Sequence, residues 1–494
     1  MSRRCMNALA LGLLLAVPAL GFAAAEPNTQ VPVGSHHYAA TTVPDRIVAS
    51  PSVDPSQGFA VAWRTDGSVQ APLLEIALAG DSPAIEGIRQ VRAKTQELKT
   101  ENGVSHHHRA EVDGLKPDTL YVYRVQGNGS WSAWNQLRTL GKAGEPLTLL
   151  YFGDTQNKNL SHVSRVVRAA QKTAPEARMS LFAGDLVSGG DGADDSEWGE
   201  WFAATSWLAQ ETLVAPAIGN HEYFEEFEDT PQERRVLGRH WPVTFALPGN
   251  GAAAAASTTY WFDVQDVRVA VLDGTSALDL GTAQAQAQWL DKVLANNPHP
   301  WTIVLLHQPF YSPREGRENA ALRDVLLPVV RRHNVDLVLQ GHDHTYGRRG
   351  EGQAATPQYV VTVAGPKQYR LSDEARRTMD PVGEATPPFP VLPTPPPHLP
   401  SATPTLPGPP PADPFHLRPH APRHAAAPPP RHPPPSPPPA PPHPPPAPPR
   451  HPPPPPPSPA PHPPPPPPVP PPPAPPAPAP PPPPRPPAPP PPPR

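Results

Sequence analysis

Gly341-His342-Asp343-His344 places two imidazoles directly after the run Val335-Asp336-Leu337-Val338-Leu339-Gln340, which reads as a buried strand. Alternate residues of extended backbone share a face, so His342 and His344 are expected to face one site. Alone, such a pair is a modest metal signal. Four other apolar runs end the same way. Leu147 to Phe152 leads into Gly153-Asp154-Thr155-Gln156, and Met179 to Ala183 into Gly184-Asp185. Leu213 to Ile218 leads into Gly219-Asn220-His221-Glu222, and Trp301 to Leu306 into His307. One aspartate after a strand is ordinary turn chemistry. Two aspartates, an asparagine and three histidines at five strand ends are hard to explain by core packing, because buried imidazoles and carboxylates need partners. The single cysteine is Cys5, far from all of them. Carboxylate and imidazole ligands without thiolate suit Zn, Fe or Mn.

The segments between these runs have helical spacing: Ser161 to Lys172, Asp195 to Leu208 (capped by Asp195 or Ser196), Gln284 to Ala295 and Glu318 to His333. Tyr260 to Asp263 and Val267 to Asp273 are expected to pair as a hairpin by their β-branched and aromatic content. Apolar strands alternating with helices predict an α/β layered domain whose strands are covered on both faces. Ligands then collect beyond the carboxyl ends of the strands. Upstream, Asp45 to Leu140 is all-β. Gly58 to Trp63, Leu73 to Leu78 and Leu120 to Val125 read as strands, and the stretch predicts a small β-sandwich. Within it, His106, His107 and His108 fit a strand with imidazoles against its face better than a metal site. Trp131 and Trp134 fit a covered sandwich edge better than a sugar-binding platform.

Composition bounds the rest. The chain has 494 residues, 88 of them proline, and a formal charge of -4. From Thr386 onward, six arginines stand against Asp413 alone, which leaves -9 on the remainder. An acidic body argues against non-specific nucleic-acid binding, and no nucleic-acid module is expected. Residues 1–25 read as a secretory signal, with Arg3 and Arg4, an apolar core from Ala8 to Leu20, and small residues before Glu26. A secreted or periplasmic protein is expected, with no membrane span after cleavage. The stretch 386–494 is almost wholly Pro, Ala, His, Arg and Ser, and is expected to be polyproline II or disordered. Two origins are open for it: a wall-interacting stalk, or a frameshift product of a GC-rich gene.

The blocks Gly153-Asp154, Gly184-Asp185, Gly219-Asn220-His221-Glu222, His307 and Gly341-His342-Asp343-His344 resemble, in order, those of the calcineurin-like metallophosphoesterase superfamily. Leu115-Lys-Pro-Asp-Thr-Leu-Tyr-Val-Tyr123 resembles a fibronectin type III-like domain, which points to the purple acid phosphatase-like branch. Between the signal (1–25) and the tail (386–494), both read from composition, the resemblance implies an N-terminal domain (42–140) and a four-layer α/β metallophosphoesterase sandwich (146–380). It also implies two metal ions. Asp185 would bridge them, Asp154 and His344 would hold the first, and Asn220, His307 and His342 the second. A metal-bridging hydroxide would attack a phosphate ester, with His221 at the leaving oxygen or supporting the ligands from behind. Acid phosphatase-like monoester hydrolysis is favoured. Phosphodiester hydrolysis, or a non-catalytic wall-associated binding protein on a degenerate enzyme domain, are the alternatives. Two positions depart from the pattern. Ser188 stands where the purple branch has a tyrosine iron ligand, so no purple colour is expected and Mn, Zn or Fe(II) is expected over a mixed-valence iron pair. Gln156 stands where other members have a histidine, and both a weak metal ligand and a turn amide remain open for it.

Overall fold

A computed structural model describes residues 27–188, 194–227, 230–351, 356–384 and the strand 391–394. The expected signal and nearly all of the proline-rich stretch lie outside the described residues.

Eight strands build the N-terminal domain: β1 (Asp45–Pro51), β2 (Phe59–Asp66), β3 (Leu73–Leu78), β4 (Arg89–Arg92), β5 (Lys94–Thr100), β6 (Gly103–Val112), β7 (Leu120–Val125) and β8 (Asn135–Arg138). They pair antiparallel into two four-stranded sheets, β1-β2-β6-β5 and β4-β3-β7-β8. Trp63 is buried between them, and its indole N–H reaches the Gln126 carbonyl. All three histidines of β6 are buried. His108 sits between the Thr65 and Thr95 hydroxyls at 2.8 and 2.9 Å, and His106 bonds the Val69 carbonyl. Trp131 and Trp134 both lie against the Arg124 guanidinium, at 4.4 and 4.5 Å, so their faces are used by a cation.

The α/β domain opens with β9 (Leu147–Phe152), α1 (Ser164–Thr173), β10 (Met179–Ala183), α2 (Asp195–Glu211) and β11 (Leu213–Ala217). A short hairpin, β12 (Tyr223–Glu226) and β13 (Arg234–Leu237), and α3 (Trp241–Thr244) lead into β14 (Tyr260–Val264) and β15 (Val267–Val271). Then come α4 (Gly274–Asp279), α5 (Ala283–Ala295), β16 (Trp301–Leu305), α6 (Ala320–Arg332) and β17 (Leu337–Gln340). The last elements are β18 (Tyr346–Gly350), β19 (Gln358–Val361), α7 (Asp373–Thr378), β20 (Val382–Gly383) and β21 (Val391–Thr394). The helix α2 is capped by Asp194, whose side chain accepts the Ser196 N–H, one residue before the expected cap.

These strands form two sheets, not one: β11-β10-β9-β21 and β14-β15-β16-β17-β19-β18-β20. The sheets are stitched directly. Tyr151 of β9 donates to the Gln340 carbonyl of β17 and receives the Gln340 N–H at 2.7 Å, and Tyr260 of β14 donates to the Pro216 carbonyl at 2.8 Å. Helices α5 and α6 cover the outer face of the larger sheet through Leu290, Leu294, Leu322 and Leu326. β20 extends the larger sheet, and β21, at the start of the proline-rich stretch, pairs antiparallel with the edge of β9. An edge strand with unpaired backbone groups is a liability, and β21 covers it.

The two domains share one core. At their contact, Asp195 at the start of α2 is held by Arg46 at 2.5 Å, Arg64 at 3.2 Å and His240 at 3.2 Å, all buried. Breaking such a buried cluster by removing one partner costs about 3–5 kcal/mol.

Candidate metal centre

The five strand ends converge on one point. β9, β10 and β11 deliver Asp154, Asp185 and Asn220 from the smaller sheet; β16 and β17 deliver His307, His342 and His344 from the larger. Donor atoms of Asp185, His307 and His342 lie within 4.8 Å of one another, and so do those of Asp154, Asp185 and His344. Asp185 is common to both groups. Asn220 joins the first, with its Oδ1 3.2 Å from His307 Nε2. The sequence-expected donors are therefore brought together in two neighbouring groups that share Asp185.

The route by which they arrive differs from the strand-alternation reading. β17 ends at Gln340, and His342 and His344 follow with φ of 73° and 48°. Asp154 and Asp185 also have left-handed backbone, φ 44° and 51°. Four of the six donors thus occupy a region that costs about 1–3 kcal/mol per residue and persists only where surroundings impose it. The close-packed glycines supply part of that constraint. A Cβ on Gly219 would stand 2.1 Å from Asp185 Oδ1, and one on Gly341 would stand 2.5 Å from Asp154 Oδ2.

Backbone carbonyls orient two of the three imidazoles. His307 Nδ1 donates to the Ala183 carbonyl at 2.6 Å, which points Nε2 at Asp185 Oδ2, 3.1 Å away. His344 Nδ1 donates to the Lys367 carbonyl at 3.0 Å, leaving Nε2 3.4 Å from Asp154. A carbonyl acceptor behind each ring is the usual support of a metal-bound histidine. His342 Nδ1 lies 3.0 Å from His307 Nε2, close enough for the two ring nitrogens to share a proton or to meet at one cation. The main-chain N–H of His342 donates to Asp154 at 2.7 Å, and that of His221 donates to Asp185 at 2.9 Å.

The electrostatics ask for positive charge. Burial pushes the Asp154 carboxyl well up, and the nearby Asp185 adds to this. Burial opposes charge on His307, yet Asp185 and Asp154 outweigh it and raise its pKa to about 9. Burial drives His344 down to about 3, so it stays neutral and able to ligate. A proton on His307 is the charge this cluster can recruit from within. A donor set of two carboxylates, three imidazoles and an amide fits two borderline or hard cations. The buried Gln156 amide adds an observation of the same kind, because neither its oxygen nor its nitrogen has a hydrogen-bond partner among the described residues.

Two supports were not read from the sequence. Glu222, in the Gly-Asn-His-Glu block, accepts the main-chain N–H groups of Asp185, Leu186 and Gly219. Asp343, between the two histidines, is buried and held by Arg317 at 2.8 Å and Ser312 at 2.5 Å. Arg317 also donates to the His342 carbonyl, clamping the loop from both sides. Position Asp343 was visible in the motif; a buried carboxylate between two ligands is the signal that marks it.

The chain matches the calcineurin-like phosphoesterase family over residues 147–346 and the purple acid phosphatase N-terminal domain over residues 44–139. It is 27% identical to an uncharacterized protein of Mycobacterium tuberculosis over 326 residues, 59% of this chain and 60% of that protein. It is 27% identical over 266 residues to an Fe(3+)-Zn(2+) purple acid phosphatase of Arabidopsis thaliana, 50% of this chain and 52% of that one. The chain spans less than two thirds of the length of these relatives. Its fold is similar to that of a purple acid phosphatase from yellow lupin seeds, with a TM-score of 0.58 at 18% identity, covering 71% of this chain and 70% of that one.

Proposed function

We propose that this chain, a calcineurin-like phosphoesterase carrying the N-terminal domain of purple acid phosphatases, hydrolyses small-molecule phosphate esters at two metal ions, monoesters foremost. The single observation that carries this reading is the sharing of Asp185 between two donor sets. In it, Asp154 and His344 would hold one ion, Asn220, His307 and His342 would hold the other, and Asp185 would serve both. When bound, such a pair polarises the phosphoryl group and makes a water molecule nucleophilic near neutral pH. The protein residues do the positioning. Asp185 Oδ1 receives the His221 N–H, which seats His221 beside the donors while leaving its ring partly exposed. From there His221 orients the ester and supplies a proton to the leaving oxygen. Gln156 would serve as a weak ligand or hold a water for one ion, which its unpartnered amide supports.

Metal identity follows from Ser188. Its Oγ accepts from Asn28 at 2.9 Å, and its main-chain N–H donates to Glu197 at 2.6 Å. A serine offers no phenolate, so Mn, Zn or Fe(II) without a visible charge-transfer band is the assignment. Export to a secreted or periplasmic location is proposed from residues 1–25, and among the described residues no helix is long and apolar enough to cross a membrane.

Turnover of p-nitrophenyl phosphate and bis-p-nitrophenyl phosphate by the purified full chain, with and without chelator, tests the function. Chelator-sensitive monoester hydrolysis is expected. Preference for the diester would reassign the class, and no chelator-sensitive turnover on either would favour a non-catalytic wall-associated protein. Stoichiometric Fe(III) with a visible band would sink the metal assignment.

A further inference from the structure

Asp273 leaves the larger sheet at the same edge as the metal donors without being one of them. β15 runs parallel to β16 with Val271 opposite Leu305, so Asp273 and His307 each stand two residues past that pair on neighbouring strands. Asp273 is fully buried, yet among the described residues it belongs to neither donor group. Its carboxylate is committed elsewhere. Oδ1 accepts the Ser276 main-chain N–H at 2.8 Å, which caps α4, and Oδ2 accepts the Tyr223 hydroxyl at 2.5 Å. The Asp273 main chain is fixed as well. Gln286 Oε1 takes its N–H at 3.0 Å, and the Gln286 amide donates to its carbonyl at 2.8 Å.

Tyr223 stands two residues past His221, at the end of the single turn Asn220–Glu222. It is buried, and its bond to Asp273 anchors that turn from the C-terminal side. A second anchor holds the other side. Arg235 donates to the Asn220 carbonyl at 3.3 Å and pairs with Asp279 at 2.8 Å. Asp273 caps α4 and Asp279 is its last residue, so both anchors end on one six-residue helix. Thr275 of the same helix takes the Gln308 amide at 2.7 Å, directly after His307. Helix α4 is therefore tied both to the loop of Asn220 and His221 and to the loop of His307. A three-residue turn of this kind has little hydrogen bonding of its own, so the direction of its middle side chain follows from what holds its ends. A phenol donating to a buried carboxylate is a charge-assisted, directional restraint.

We propose that Tyr223 and Asp273 are positioning residues for His221, their hydrogen bond aiming the His221 ring at the leaving oxygen of the ester. It rests on the assignment of His221 as proton donor made above. As the P–O bond breaks, its electron pair stays on the leaving oxygen, which takes the His221 proton. Asp273 thus serves proton delivery from a strand end whose neighbours serve metal binding.

The test compares the full-length chain with Tyr223→Phe, which removes the hydroxyl and keeps the ring, with His221→Ala, and with the two combined. Turnover is measured on p-nitrophenyl phosphate, whose leaving group needs little protonation, and on β-glycerophosphate, whose alkoxide needs a proton. Tyr223→Phe is expected to lower kcat on β-glycerophosphate by about tenfold, part of what a positioned general acid contributes. Its KM, its metal content and its kcat on p-nitrophenyl phosphate should change little, and it should cause no further loss in the His221→Ala background. Asp273→Asn reads the same bond from the other side and should give the same substrate split at smaller size. Equal loss on both substrates, or an undiminished loss in the His221→Ala background, would overturn the positioning role. Wild-type turnover of β-glycerophosphate by His221→Ala would instead refute His221 as proton donor. The NMR signal of the His221 ring, recognised in isotope-labelled, zinc-loaded protein by its absence in His221→Ala, decides the positioning without turnover. Tyr223→Phe should shift that signal, and superimposable spectra would overturn the proposal.

Discussion

Glu222 holds Asp185 from behind: its Oε2 accepts the Asp185 main-chain N–H at 3.0 Å. The same carboxylate takes the Gly219 N–H at 2.7 Å and the Leu186 N–H at 2.6 Å, so one buried side chain fixes two donor loops. Alanine at this position leaves three buried N–H groups without an acceptor, each worth about 1–3 kcal/mol. Glu222→Ala is therefore expected to lower stability by about 3 kcal/mol or more and to lose metal, while Glu222→Gln, which keeps one acceptor oxygen, falls between. Urea midpoints and metal analysis on the same preparations check this, and a wild-type midpoint for the alanine variant would remove Glu222 from its supporting role.

Asp185 belongs to both donor groups, whereas Asp154 and His307 each belong to one. Asp185→Ala should bring metal content and phosphomonoester turnover to background. His307→Ala should retain part of the metal. Equal metal loss in the two variants would show that Asp185 is not shared.

Gly219 is set by close approach. Its added Cβ would meet Asp185 Oδ1 at 2.1 Å and Asp185 N at 2.4 Å, while a Cβ on Gly249 would meet nothing within 4 Å. Gly219→Ala should cost metal affinity with far-UV circular dichroism unchanged. Gly249→Ala should match wild type in both. Full metal occupancy in Gly219→Ala would mean that the Asp185 loop is not constrained by this contact.

The sandwich makes the protein acid-sensitive. Burial, then Arg46 and Arg64, push the His107 imidazole well down, and burial with His106 brings His108 to about 4. Both are neutral in the fold, whereas in the unfolded chain they charge below about pH 6.5. Their folded pKa values are the lower ones, so stability is full above about 6.5 and is lost as pH falls toward 4. Burial opposes charge on Asp195, but Arg46, His240 and Arg64 outweigh it and hold the carboxyl well below its ordinary range. Its contribution persists above about pH 4 and is lost only below. The expected urea midpoint falls between pH 6.5 and 4.5. His108→Gln, which can still bond Thr65 and Thr95, should flatten part of the slope. A midpoint constant over that interval would contradict this reading.

Donor identity and order were legible because they are local. Asp154, Asp185, Asn220, His307, His342 and His344 each follow an apolar run, and chemistry restricts which side chains ligate metals. The helices were legible to within a few residues for the same reason, since periodicity is a property of neighbouring positions. Strand-end position did not reveal that the donors come from two sheets, because which strands pair depends on long-range contacts such as Tyr151 with Gln340.

The backbone route was equally hidden. Left-handed conformation at His342 and His344 is imposed by the Arg317 clamp and the Asp154 carboxylate, groups distant in sequence. The role of Glu222, the Asn28 amide on Ser188 and the edge-covering strand β21 were invisible for that reason too. The sequence by itself determined which atoms can hold metal and in what chain order. Tertiary structure decided which donors lie beside Asp185 and which ring nitrogen of His307 and His344 faces the cluster. Those are outcomes of packing between segments more than a hundred residues apart, as between His307 and Ala183, and packing is fixed by the whole chain at once.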